Sequence, residues 1–192
     1  MTSSESFDYT DYLNEYLDSS VTIGNFGEPG MAVSQYSNTD GNGPYKDVCI
    51  KYNTCIEFDP DLIIIMLGTN DATKVENGVP KYVWEAVKDG YKSAYLDLIS
   101  SFRAACPDVD IVVLTSPLVD DNNSLHILNS VLETGTYPMQ KEVAAEANAL
   151  LVDTRYFVKN IGDYKVLYRD GVHFTEEGAK IFAEYVIKSI KG

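Results

Sequence analysis

In the stretch LYRDGVHFTEEGAK, residues 167 to 180, Asp170 stands three positions before His173, one of only two histidines in the chain. A histidine oriented by a carboxylate is the usual general base for activating a serine hydroxyl: its unperturbed pKa lies near neutrality, and the carboxylate fixes its tautomer. Two further polar clusters, NFGEPGM at 25 to 31 and GTND at 68 to 71, follow probable strands. Glycine lets a backbone N–H approach a ligand closely, and an asparagine supplies a neutral amide donor. Gly30 and Asn70 are therefore candidates for an oxyanion hole, and the set suggests acyl transfer. Each element also has a plainer reading: Gly30 as a turn residue after Pro29, GTND as a turn opening a helix, Asp170 and His173 as a turn with a surface histidine. His126, in SLHILN, has no carboxylate at useful spacing and receives no role. Asp120 with Asp121, and Glu176 with Glu177, lack an accompanying His or Cys cluster, so they read as solvated charge and no metal site is expected.

These clusters need a scaffold that brings them to one crevice. Tyr12, Leu13, Tyr16 and Leu17 fall on one helical face, and VTIGNF at 21 to 26 reads as a short strand. A loop rich in Gly, Pro, Asn and Asp follows, with a helical turn at Ala32 to Tyr36 and a second helix near Lys46 to Phe58. LIIIML at 62 to 67 is a continuous apolar run of the kind a parallel sheet buries on both faces. From Lys81 to Ala105, apolar residues at spacings of three and four predict a long amphipathic helix closed by Pro107. DIVVLTSP at 110 to 117 is another strand, MQKEVAAEANA at 139 to 149 another helix, and LLVDT a short strand. Thr175 caps a last helix whose apolar face holds Ala179, Phe182, Ala183, Val186 and Ile190. Strands alternating with helices imply a single three-layer α/β/α domain with a mostly parallel sheet, whose ligand crevice lies at the carboxyl ends of the strands.

The 192 residues are enough for one domain, which at that size buries roughly 70% of the surface its unfolded chain exposes. A hydrophobic fraction of 45% and a charged fraction of 23% are those of an ordinary globular protein. Fifteen Lys and Arg against 29 Asp and Glu leave a formal charge of -14, which repels phosphate backbones and anionic membranes. Nucleic acid is a poor candidate partner, and the longest apolar run falls far short of the roughly 20 residues a membrane helix needs. No signal peptide precedes FDYTDY, which predicts a cytoplasmic protein if Met1 is the true start and leaves secretion open otherwise. Cys49, Cys55 and Cys106 are too few and too unpatterned for a disulfide framework and read as buried thiols, with a Cys49 to Cys55 bridge open in an oxidising compartment.

The order and spacing of NFGEPG, IIIMLGTND and DGVHFTEEG resemble the second, third and fifth blocks of the GDSL-type esterases, or SGNH hydrolases, from residue 20 to 190. The resemblance implies a flavodoxin-like parallel sheet and a serine esterase in which Gly30 is the backbone oxyanion donor, Asn70 the side-chain donor, His173 the base and Asp170 its orienter. YK at 45 to 46, FDPDLIIIMLGTNDA and DGYKSAYLDLISSF look most like the branch that removes acetyl groups from carbohydrates. A small-molecule or carbohydrate ester is then the expected substrate, and no metal or organic cofactor is required. Two alternatives stand beside it: a non-catalytic carbohydrate-binding or interaction protein on the same fold, and a lipid esterase or thioesterase.

The front of the chain departs from the family. No Gly-Asp-Ser occurs in these residues, and Ser3, Ser4 and Ser6 lack the preceding apolar strand that would set a nucleophile on its strained turn. Relative to the family the domain is N-terminally incomplete, its first strand belonging between the first two that are present. Three accounts are open: a longer protein that begins before Met1, the favoured one on sequence grounds; a strand supplied by a partner segment or a second copy in a homo-oligomer; or a rearranged sheet. The expectation for residues 1–192 alone is little or no serine-dependent turnover.

Overall fold

The computed structural model describes residues 7–33, 49, 51–73 and 84–192. A three-stranded parallel sheet lies at its centre in the order β1 (Leu62–Ile65), β2 (Asp110–Leu114), β3 (Leu150–Val152). Leu62 pairs with Asp110 and Ile65 with Val113, while Val112 pairs with Leu150 and Leu114 with Val152. Alternation along each strand sends side chains to two faces. Ile63, Ile65, Ile111 and Val113 meet α1 (Lys51–Glu57), α2 (Trp84–Ala105) and α3 (Tyr137–Glu146). Ile64, Val112, Leu114 and Val152 meet α4 (Thr154–Lys159), α5 (Glu176–Lys191) and the 3₁₀ turn Tyr9–Glu15. The layers are therefore α/β/α, as the strand–helix alternation predicts.

The long helix α2 buries Val87, Tyr91, Tyr95, Leu98, Ile99 and Phe102, the positions that its periodicity selects. At the end of the chain, the Thr175 hydroxyl accepts the Gly178 amide at 3.0 Å and itself donates to the Leu167 carbonyl at 3.2 Å. It caps α5 and ties the segment before it to the helix. Thr175→Ala should destabilise the fold by about 0.5–2 kcal/mol, measured as a drop in the thermal midpoint; an unchanged midpoint would mean that the cap contributes nothing. Cys49, Cys55 and Cys106 are free, buried thiols, so the Cys49 to Cys55 bridge is not formed. Burial, with Cys106 and Cys49 nearby, pushes the Cys55 thiol up to about 11.

Several elements differ from expectation. Residues 21 to 26 join no ladder: the Asn25 amide donates to Asp8 at 3.0 Å, its Oδ1 accepts the Gly27 amide, and Phe26 packs edge-on against Phe58. A parallel strand exists only through its neighbour, and among the described residues β1 pairs with β2 alone. The first helix is a 3₁₀ turn, Tyr9–Glu15, capped by Asp8. A short helical turn at Asn129–Val131 and a π-turn at Leu132–Thr136 lead into α3, so this helical run begins well before residue 139. It also stops earlier, because Asn148 turns left-handed (φ 50°) and the Ala149 amide reaches back to Ala144 at 2.8 Å. The expected turn over Tyr36, the starts of the helices at Lys46 and Lys81, the YK at 45 to 46, and Ser3, Ser4 and Ser6 lie outside the described residues.

Candidate active site

The first half of the site is built on the turn that follows β1. Asn70 opens the 3₁₀ turn Asn70–Ala72, and its Nδ2 donates to the Met31 carbonyl at 2.8 Å. Only an amide NH2 can make that bond, so the partner fixes which end of the side chain is nitrogen. The second N–H of the same group remains a donor. Asp71, fully buried, accepts the Val33 amide at 3.0 Å, so two consecutive side chains clamp the 31–33 backbone. Gly30, next to Met31, has φ 76°, a left-handed conformation that glycine takes without a Cβ penalty. Lys51 of α1 holds the other end of the loop, donating to the Gly27 carbonyl at 2.9 Å and pairing with Glu28 at 3.1 Å. The structure thus brings Asn70 to the Gly30–Met31 turn, two clusters that lie 40 residues apart in sequence.

Asp170 and His173 form the second half. His173 Nδ1 lies 2.7 Å from Asp170 Oδ2, while Oδ1 of the same carboxylate accepts the His173 amide at 2.8 Å and the Val172 amide at 3.0 Å. Both oxygens are engaged, so the ring is held at its Nδ1 end. Burial works to raise the Asp170 pKa, but the His173 amide and ring, the Val172 amide and the histidine charge outweigh it and hold the carboxyl below its ordinary value. Asp170 is therefore a carboxylate near neutral pH, and a carboxylate on Nδ1 leaves Nε2 free to take a proton. Among the described residues, no hydroxyl is hydrogen-bonded to the His173 ring. An antiparallel bridge, Tyr168 to Phe174, closes the base of this turn, and the Tyr168 and Tyr164 hydroxyls donate to the carbonyls of Leu118 and Val119 on the loop after β2.

The loop 118–128 lies between the two halves. On one side the Asp120 amide donates to the Gly171 carbonyl at 2.8 Å, and Gly171 sits at φ 89° with a Cβ there only 3.0 Å from those of Asp120 and Asn123. On the other, Ile127 bridges Thr73, and the Leu128 amide donates to the Ala72 carbonyl. Ala72, Val119, Ile127, Leu132 and Val172 close one apolar cluster beneath it. Two buried side chains that carry no sequence signature anchor the strand ends. Gln140 of α3 donates to the Leu67 carbonyl and accepts the Ser116 amide; Arg155 of α4 pairs with Glu133 and reaches the Asn129 and Pro117 carbonyls. Asp120 pairs with Lys165, Asp121 accepts the Asn129 amide and Glu176 pairs with Lys180, so those acids are committed to local contacts. His126 adopts φ 55° on the same loop and is half-buried. Among the described residues, no group of three or more His, Cys, Asp or Glu is placed to hold a metal ion, and no described helix is long and apolar enough to cross a membrane.

The model of the GDSL-like lipase/acylhydrolase family matches residues 3–181. The chain belongs to that family. A relative, the acetylxylan esterase of Xylanibacter ruminicola, is 26% identical over 193 residues, covering 96% of this chain and 39% of that protein. This chain therefore spans well under half the length of that curated relative. A crystal structure of a protein from Bacillus subtilis superposes with a TM-score of 0.71 at 20% identity, covering 98% of this chain and 51% of that one. The acetylxylan esterase Axe2 of Geobacillus stearothermophilus gives 0.53 at 23% identity, covering 71% and 62%. These likenesses make the GDSL-like fold of the chain explicit: three layers around a parallel sheet.

Proposed function

We propose that the protein is a serine-type esterase that removes acetyl groups from carbohydrate, with His173 as general base, Asp170 as its orienter, and Gly30 and Asn70 as oxyanion donors. The observation that carries the reading is the 2.7 Å contact between His173 Nδ1 and an Asp170 carboxylate whose other oxygen already accepts two amides. The acetylxylan esterase relative supports the substrate class. In the reaction, a serine hydroxyl attacks the acetyl carbonyl as His173 Nε2 takes its proton. The tetrahedral oxyanion receives the Gly30 N–H and the second Asn70 N–H, donors that strengthen as charge develops. Collapse expels the sugar alkoxide, which takes the proton from His173. Water, activated by the same imidazole, then hydrolyses the acetyl-serine and returns the enzyme.

We infer that the serine lies outside the described residues, on a Gly-Asp-Ser segment joined ahead of residue 1. Acetate release from acetylated xylan, with a serine-directed phosphonate labelling that serine, is the result expected of the chain extended by the segment its own reading frame encodes upstream. Residues 1–192 alone should hydrolyse p-nitrophenyl acetate at close to the buffer rate. Absence of acetate release from the extended chain would overturn the esterase reading; phosphonate-sensitive turnover by residues 1–192 alone would overturn the placement of the nucleophile. An upstream stop codon with no such segment would favour the second reading, a carbohydrate-binding protein that keeps the crevice.

A further inference from the structure

The two halves of the site come from distant stretches of chain, and catalysis by the proposed mechanism requires a fixed separation between them. One buried side chain contacts the supports of both. Asn123 is only 5% exposed. Its Oδ1 accepts the Ile127 amide at 3.0 Å while its Nδ2 donates back to the Ile127 carbonyl at 2.8 Å, so the carboxamide pairs with Ile127 as a neighbouring strand would. The same Nδ2 donates to the Asp120 carbonyl at 2.5 Å. Ile127 in turn bridges Thr73, three residues after Asn70. Asp120 donates its amide to Gly171, between Asp170 and His173, and a Cβ on that glycine would come within 3.0 Å of the Asn123 Cβ and 3.5 Å of its Cα.

We propose that Asn123 is a positioning residue that sets the separation of the Asn70 amide from the His173 imidazole, acting through Ile127 on one side and through Asp120 and Gly171 on the other. The proposal rests on the esterase reading for its catalytic consequence, but its geometry does not. Every hydrogen-bonding group of the side chain is used in the loop itself, and none is left to touch substrate. A carboxylate at this position would keep the shape and the Ile127 amide bond but turn an oxygen toward two carbonyls. Repulsion there would loosen both supports together, and small misplacements of reacting groups are costly to rate.

The test uses Asn123→Asp and Asn123→Ser with three readouts. In the ester-hydrolysing protein, kcat should fall about tenfold to a hundredfold with KM within about twofold, a split that general destabilisation would not produce. In residues 1–192, where no turnover is needed, the far-downfield proton resonance of the His173–Asp170 hydrogen bond should broaden or vanish in both variants while β2 amide shifts stay put. In the unsubstituted protein, the amides of Asp120, Ile127 and His173 should exchange with solvent through one common opening. Unequal opening of those three amides overturns the proposal even if neither variant folds, as does a variant with the resonance and kcat intact. Loss of the resonance without any esterase activity in the parent would leave the positioning role standing and remove the esterase reading.

Discussion

On the proposed mechanism, His173→Ala should lower kcat/KM for acetyl ester hydrolysis by about 10²- to 10⁴-fold in the ester-hydrolysing protein, the range that a positioned general base supplies. The loss is chemical rather than structural. The ring is half-exposed, at 50%, and among the described residues its hydrogen bond is to Asp170. The backbone contacts that shape the turn, from the His173 and Val172 amides to Asp170 Oδ1, survive the substitution. The thermal midpoint should therefore move little while the rate collapses. Asp170→Asn should lose rate on a similar scale by a different route. An amide at 170 can keep accepting the two backbone N–H groups with its oxygen, but it presents NH2 to Nδ1. That selects the tautomer with its proton on Nε2, the atom that must accept the serine proton. Both are checked by p-nitrophenyl acetate kinetics beside a melting curve. A His173→Ala protein with an unchanged rate would remove the dyad from the mechanism.

What the sequence revealed of this site follows the range of the forces involved. Burial makes α2 and α5 legible through a period in their apolar residues, and Leu62–Ile65 through an unbroken apolar run. Asp170 and His173 were legible because their partner is three residues away. Residues 21 to 26 show the limit: an apolar run names a strand, but pairing belongs to the neighbour, and in its absence the Asn25 side chain and the Phe26–Phe58 contact set the path instead. The π-turn ahead of α3 left no period to read. Gln140 carries no pattern that marks it apart in its helix, yet it is fully buried and joins the segments that follow β1 and β2. Asn123 sat in DDNNS, a composition that normally marks a solvated loop. Its function depends on Ile127, Gly171 and Thr73, and no spacing within the loop records a contact with a turn 50 residues earlier.

The two halves also differ in how their geometry is held. The dyad's own hydrogen bonds are local: one carboxylate, one ring and two amides within four residues. The oxyanion half is assembled from three separate stretches, with Lys51, Asn70 and Asp71 each tying down a different part of the 27–33 loop. The bonds within the dyad are therefore local, but its turn leans on the 118–128 loop through Gly171, whereas the donors depend on several long-range ties for their aim.

Asn70→Ala should accordingly lower kcat by about 10²- to 10³-fold, equivalent to about 2.7–4 kcal/mol of transition-state stabilisation, with KM changed far less. The substitution removes both N–H groups of the side chain: one holds the Met31 carbonyl, and the other is the donor proposed for the oxyanion. Asn70→Asp separates them only in part, since it puts negative charge against both the Met31 carbonyl and the developing oxyanion, and its kcat should fall below that of the alanine variant. Loss of aim alone is distinguished through Asp71, which keeps the Val33 amide in place in either variant. If the Val33 amide stays protected from exchange while kcat falls, the turn is intact and the missing donor accounts for the rate. If Asn70→Ala raises KM and leaves kcat untouched, Asn70 binds the ground state and the oxyanion falls to the backbone of Gly30 alone.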